Sequence, residues 1–113
     1  MKFAATTLLI PTALAFTGRM TYYQPGLGAC GKTNSANDAI VAIGHDRWTS
    51  SNPNKDPLCS KSINISHNGK TVKAKVVDKC MGCGANDIDV SPAIFKQFGS
   101  LGTGVIQVNW NFV

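Results

Sequence analysis

The chain has 113 residues, 43% of them hydrophobic, with eleven basic side chains against six acidic ones and a formal charge of +5. That length fits one small domain, which buries too little apolar surface to be comfortably stable unaided. All six acids are Asp and the basic excess is modest. No apolar run reaches the roughly 20 residues that cross a bilayer, so composition excludes a membrane-spanning protein and offers no nucleic-acid footprint.

The N-terminus opens with Met1-Lys2, continues with apolar or small residues over 3–14, and ends this run with Ala13-Leu14-Ala15. A single charge, a short apolar stretch interrupted by Pro11 and a small-x-small site read as a secretory signal peptide over 1–15. Cleavage after Ala15 would leave a mature, exported, soluble domain at 16–113. Its cysteines, Cys30, Cys59, Cys80 and Cys83, are even in number, and in an exported chain that implies two disulfides with three connectivities open. Cys80 and Cys83 form a C-x-x-C pair. No second pair accompanies them as zinc would require, and no helical pattern follows to activate a thiol, so neither a metal nor a cofactor is expected.

Residues 19–24 are rich in aromatic and β-branched side chains and stop at Pro25-Gly26, which predicts a first strand and turn. Residues 39–43 form a short buried strand. Ser, Asn, Pro and Lys dominate 45–58, a surface loop with room for one helical turn. The runs 61–67 and 70–78 alternate in polarity around Asn68-Gly69, the signature of a two-residue hairpin. Ile63 and Ile65 share one face, as do Val72, Ala74 and Val76. Lys70, Lys73, Lys75 and Lys79 interleave with these apolar residues as a solvated strand face. Ser91 is a natural N-cap with Pro92 at the first helical position, an apolar stripe of Ile94, Phe95 and Phe98, and Gly99 as the stop. Residues 104–113 alternate again, with Ile106, Val108, Trp110 and Phe112 on the apolar side, so Trp110 is expected in the core. Mostly strands with one short helix in so short a chain favour a small closed barrel, which leaves no exposed edge.

Two segments concentrate polar groups beyond what a strand framework requires. One is Thr21-Tyr22-Tyr23 at the end of the first strand. The other holds Asp78, Asp87 and Asp89 in a Gly-rich stretch that runs up to the helix start. The carboxylates have a structural reading, in which Asp78 ties down a loop through backbone amides and Asp89 orders the helix entry. They also have a functional reading, a groove in which carboxylates and tyrosines meet a sugar. His45 and His67 are read as surface or satisfied residues, and Asn64-Ile65-Ser66 as a glycosylation sequon with Asn64 pointing outward.

Gly28-Ala29-Cys30-Gly31, the strand end Val76-Val77-Asp78-Lys79-Cys80-Met81-Gly82-Cys83, and Ile88-Asp89-Val90-Ser91-Pro92 together resemble the expansin-like, barwin-like and rare-lipoprotein-A-like proteins, above all the single-domain expansin-like loosenins. The resemblance covers 18–113. It implies an all-β, six-stranded double-psi β-barrel with one short helix, and bridges between Cys30 and Cys59 and between Cys80 and Cys83. It places Thr21, Tyr23, Asp78 and Asp89 on a polysaccharide-binding groove; Asp87 stands there where the family has His, and Tyr22 and Trp48 are read as further aromatic contacts. Asp89 matches the general acid of related endoglucanases. The stretch Tyr23-Gln24-Pro25, where those enzymes carry a catalytic base, has no carboxylate. The resemblance therefore implies a secreted, monomeric, non-hydrolytic protein that binds and loosens cell-wall polysaccharide such as cellulose or chitin. A protein-binding module, for example a cysteine-protease inhibitor or secreted effector, is the alternative, and a weak lytic enzyme on cell-wall glycans is the second.

Overall fold

The computed structural model describes residues 15–113, so the leader read at 1–15 lies outside the described residues except for Ala15. Strands form where apolar and polar residues alternate and, for β2, in a short wholly apolar run: β1 (Phe16–Tyr22), β2 (Ile40–Gly44), β3 (Ser62–His67), β4 (Lys70–Cys80), β5 (Ile88–Val90) and β6 (Ile106–Phe112). They close into a barrel in the order β1-β5-β2-β4-β3-β6. The β1–β5 and β2–β4 pairs are parallel and the others antiparallel. The expected six-stranded all-β barrel is the fold observed.

Inward-facing Met20, Val41, Ile43, Ile63, Ile65, Val76, Ile88, Val90 and Trp110 fill the interior, joined by Phe95 from the short helix α1 (Pro92–Phe95). Full burial of side chains of this kind contributes about 1.5–3 kcal/mol each, and the period of two in each strand puts them on one side. Ile63 lies opposite Ala74 and Ile65 opposite Val72. Asn68 and Gly69 take φ of 49° and 79°, the left-handed pair that a two-residue hairpin requires.

Several boundaries differ from expectation for identifiable reasons. β1 starts at Phe16 rather than 19, because Phe16, Thr17 and Gly18 pair with Trp110, Asn109 and Val108 of β6. The helix ends at Phe95, short of Gly99. Bonds from Gln97 N to Ile94 O and from Phe98 N to Phe95 O tighten the run into turns. Its start is as expected: the Ser91 hydroxyl accepts from Ile94 N–H at 3.3 Å and donates to Asp38 O, with Pro92 at the first helical position. The 45–58 loop contains three short 3₁₀ turns rather than one helical turn. Asp56, buried at its centre, accepts from the amides of Thr49 and Ser50 at 2.8 Å and of Leu58 at 3.0 Å. Burial alone would raise its pKa, but these amides, with Lys79, hold the carboxyl below the usual range.

Candidate functional site

Strand register assembles the site. On the outer face of four neighbouring strands, Asp78 of β4 pairs with Ala42 of β2, Ala42 with Asp89 of β5, and Asp89 with Thr21 of β1. These four residues form one row across the barrel. Arg19, two residues before Thr21 on β1, and Tyr23, one residue past the strand's end, come to this face by the same alternation. The result is an open furrow of about 360 Å³ lined by this row, Arg19, Tyr23, Asp87 and the segment from Lys79 to Cys83.

Thr21 donates to Asp89 Oδ1 at 3.0 Å and Tyr23 to Asp78 Oδ2 at 3.2 Å. Asp78 Oδ1 also accepts from the amides of Ala29 and Lys79, both at 2.9 Å. Asp87 accepts from Arg19 N–H at 2.9 Å and Gly84 N–H at 3.3 Å, and its other contact is a loose ion pair with the Arg19 guanidinium at 3.8 Å. Two of the three carboxylates are thus held by main-chain amides and brace loops. For Asp89, no protein group donates to the second oxygen among the described residues. Desolvation raises the Asp89 pKa above its ordinary value, the Thr21 hydrogen bond opposes that shift, and the charge of Asp78 adds to it. Burial, followed by the charge and hydrogen bond of Asp78, pushes the Tyr23 phenol well above its ordinary value.

Two aromatic residues expected in the groove are elsewhere. Tyr22 points away from Thr21 and Tyr23 by strand alternation. Its ring packs against Phe95 with centroids 4.8 Å apart, and its hydroxyl donates to Leu101 O at 3.0 Å. Trp48 is only 9% exposed and its indole N–H donates to Ile43 O at 3.1 Å. Among the described residues the furrow therefore has one aromatic ring, Tyr23, and no platform of several on which a sugar chain would stack. Trp110 is buried, as its alternation indicates. His67 rests with Nδ1 3.0 Å from Gln107 O, and His45 Nε2 faces Asp46 at 3.1 Å. Asn64 is partly exposed on β3, flanked across the sheet by Lys73 and Asn111.

Both bridges take the pairing that the family resemblance implied, Cys30–Cys59 and Cys80–Cys83. Among the described residues no cluster of three or more His, Cys, Asp or Glu is arranged to hold a metal. Sequence reasoning missed two exposed apolar side chains on loops beside the furrow, Leu27 at 76% and Met81 at 67% exposure. Their signal was a large apolar residue next to glycine in a turn. It missed Arg19 as well, although the period of two places it with Thr21.

Closed barrel, parallel β1–β5 and β2–β4 pairs and two bridged loops define a double-psi β-barrel protein. The chain belongs to the barwin-like, expansin-like family of that fold. It is 43% identical over 108 residues to the papain inhibitor of Streptomyces mobaraensis, covering 92% of this chain and 76% of that one. A solved Streptomyces papain inhibitor superposes with a TM-score of 0.84 at 44% identity, over 92% of this chain and 98% of the other. An allergen Asp f 7 homolog from Arthroderma benhamiae is 44% identical over 83 residues, 72% of this chain and 28% of the relative. An expansin from Clavibacter michiganensis, solved with cellohexaose, shares the fold at a TM-score of 0.76 and 22% identity, over 88% of this chain and 50% of that one. No family model matches the chain.

Proposed function

We propose that this chain is an exported protein-binding module that inhibits papain-like cysteine proteases. The observation that carries this reading is the extent of its likeness to the Streptomyces papain inhibitor, twice the identity it has to the expansin and over nearly the whole of that inhibitor structure. The site geometry supports it too. Asp78 and Asp87 are occupied by backbone amides, which makes the furrow a brace for rigid loops, and inhibitors gain affinity from loops ordered before binding. The two disulfides suit an oxidising, extracellular setting, and in such a setting Asn64 is available as a glycan acceptor. Hydrolysis of a fluorogenic peptide by papain, titrated with the purified protein, tests the reading. Tight inhibition without retention on cellulose or chitin is expected; papain left fully active at micromolar protein overturns it.

Glycan binding in the manner of the expansin is the second reading, favoured by the open row of Thr21, Asp89 and Tyr23. In this reading the free oxygen of Asp89 and the Tyr23 ring contact the polymer without cleaving it. Retention on cellulose that is lost in an Asp89→Asn, Tyr23→Ala double variant would establish it. Release of new chain ends that disappears in Asp89→Asn would instead mark a lytic enzyme.

A further inference from the structure

Leu27 and Met81 are the two most exposed large apolar side chains among the described residues, and both sit on loops anchored to the same strand, β4. The Leu27 loop is tied at every step. Leu27 bridges to Thr33, Gly28 N–H donates to Lys32 O at 2.9 Å, Ala29 N–H to Asp78 at 2.9 Å, and Cys30 N–H to Val77 O at 3.1 Å. Cys30 is then locked to Cys59. Gly28 is required there, since a Cβ at that position would lie 2.5 Å from Val77 O. The Met81 loop continues directly from β4, is closed by Cys80–Cys83, and is secured beyond it by Asp87 on Gly84 N–H.

A flexible surface hydrophobe is unremarkable. An apolar side chain held out on a loop fixed by a disulfide and a carboxylate is a different matter, because its ordering cost on binding has already been met by folding. Protease clefts are concave and largely apolar with a few polar groups, and they match a pair of projecting apolar tips better than a sugar chain does. Resting on the inhibitor reading above, we propose that Leu27 and Met81 are the apolar anchors by which this chain docks in the active-site cleft of a papain-like cysteine protease.

The test compares inhibition constants against papain for wild type, Leu27→Ala, Met81→Ala, Met81→Asp and Val105→Asp, with melting curves for each. Val105 is an exposed apolar residue just before β6, part of neither loop, and serves as the control. Each anchor truncation should weaken inhibition about tenfold or more and Met81→Asp further, whereas a conservative Met81→Leu variant, measured alongside, should inhibit like wild type, with melting temperatures unchanged. Papain whose catalytic cysteine carries a covalent, cleft-filling peptide should no longer bind the protein. If wild type inhibits but Leu27→Ala and Met81→Asp inhibit equally well, or if blocked papain binds undiminished, the anchor assignment is wrong while the inhibitor reading stands. If wild type leaves papain active, both fall together.

Discussion

Thr21 and Asp89 are directly paired across the parallel β1–β5 ladder, and the hydroxyl of the first donates to the carboxylate of the second at 3.0 Å. Desolvation nevertheless wins at Asp89, whose pKa lies above the ordinary 3.8. Below the unfolded value the carboxyl is neutral in both states. As pH rises through the raised folded value, the native state must hold a desolvated charge, and stability is lost. Asp89→Asn should therefore melt like wild type near pH 3 and at a higher temperature near pH 7. An equal difference at both pH values would refute the assignment. Thr21→Val removes the opposing hydrogen bond and should raise the Asp89 pKa further, followed by carboxyl NMR titration.

Tyr23 lies beside Asp78 with its phenol shielded by burial. The unfolded phenol ionises near pH 10 while the folded one stays protonated, so the protein should lose stability as pH rises through that range. Tyr23→Phe should remove this alkaline dependence and cost about 1 kcal/mol at neutral pH for the lost hydrogen bond. Alkaline melting curves on the pair of proteins measure both effects.

The two disulfides close loops of very different length, with sequence separations of 29 and 3. On the chain-entropy account, losing the longer should cost roughly 3.5 kcal/mol and losing the shorter roughly 2 kcal/mol. Denaturant unfolding of the Cys30→Ser, Cys59→Ser and Cys80→Ser, Cys83→Ser double variants checks the order. Equal losses would mean that native-state packing, not loop entropy, dominates.

Gly18 sits where β1 passes the furrow loop, and a Cβ there would fall 1.9 Å from Asn86 O. Backbone cannot yield that far without moving β1 or the loop, so Gly18→Ala should destabilise by about 1–3 kcal/mol or more. Gly82, at the tip of the Cys80–Cys83 loop, has nothing within 4 Å of an added Cβ. Gly82→Ala should stay within about 0.5 kcal/mol of wild type, and chemical denaturation of both distinguishes them.

Local chemistry was the legible part of this fold. Asn68-Gly69 announces its hairpin because few other pairs tolerate two positive φ values in succession, and Ser91-Pro92 marks a helix start for equally local reasons. Asp56-Pro57 carries the same cap-then-proline signal but stands in a loop so polar that its burial was hidden. Trp48 turns back to donate to Ile43 O, five residues earlier, because the chain reverses through the 3₁₀ turn at His45–Arg47, a turn with no glycine or proline among its own residues to signal it in the sequence. Tyr22 could have been read correctly, since alternation alone separates it from Thr21 and Tyr23. The resemblance to wall-loosening proteins named the fold and the bridges, yet it drew attention to the carboxylates and away from the apolar loop tips beside them.

Because β1 lies between β5 and β6, the first stave of the barrel is fixed on one side by the last. Phe16 meets Trp110 only when β6 is available. Such closure makes folding a non-local, comparatively slow event, and a nascent chain lacking its C-terminal segment has no finished sheet into which its beginning can settle. A fragment that stops short of β6 would thus leave one edge of β1 and one edge of β3 without a partner, the unpaired state that invites association with other chains.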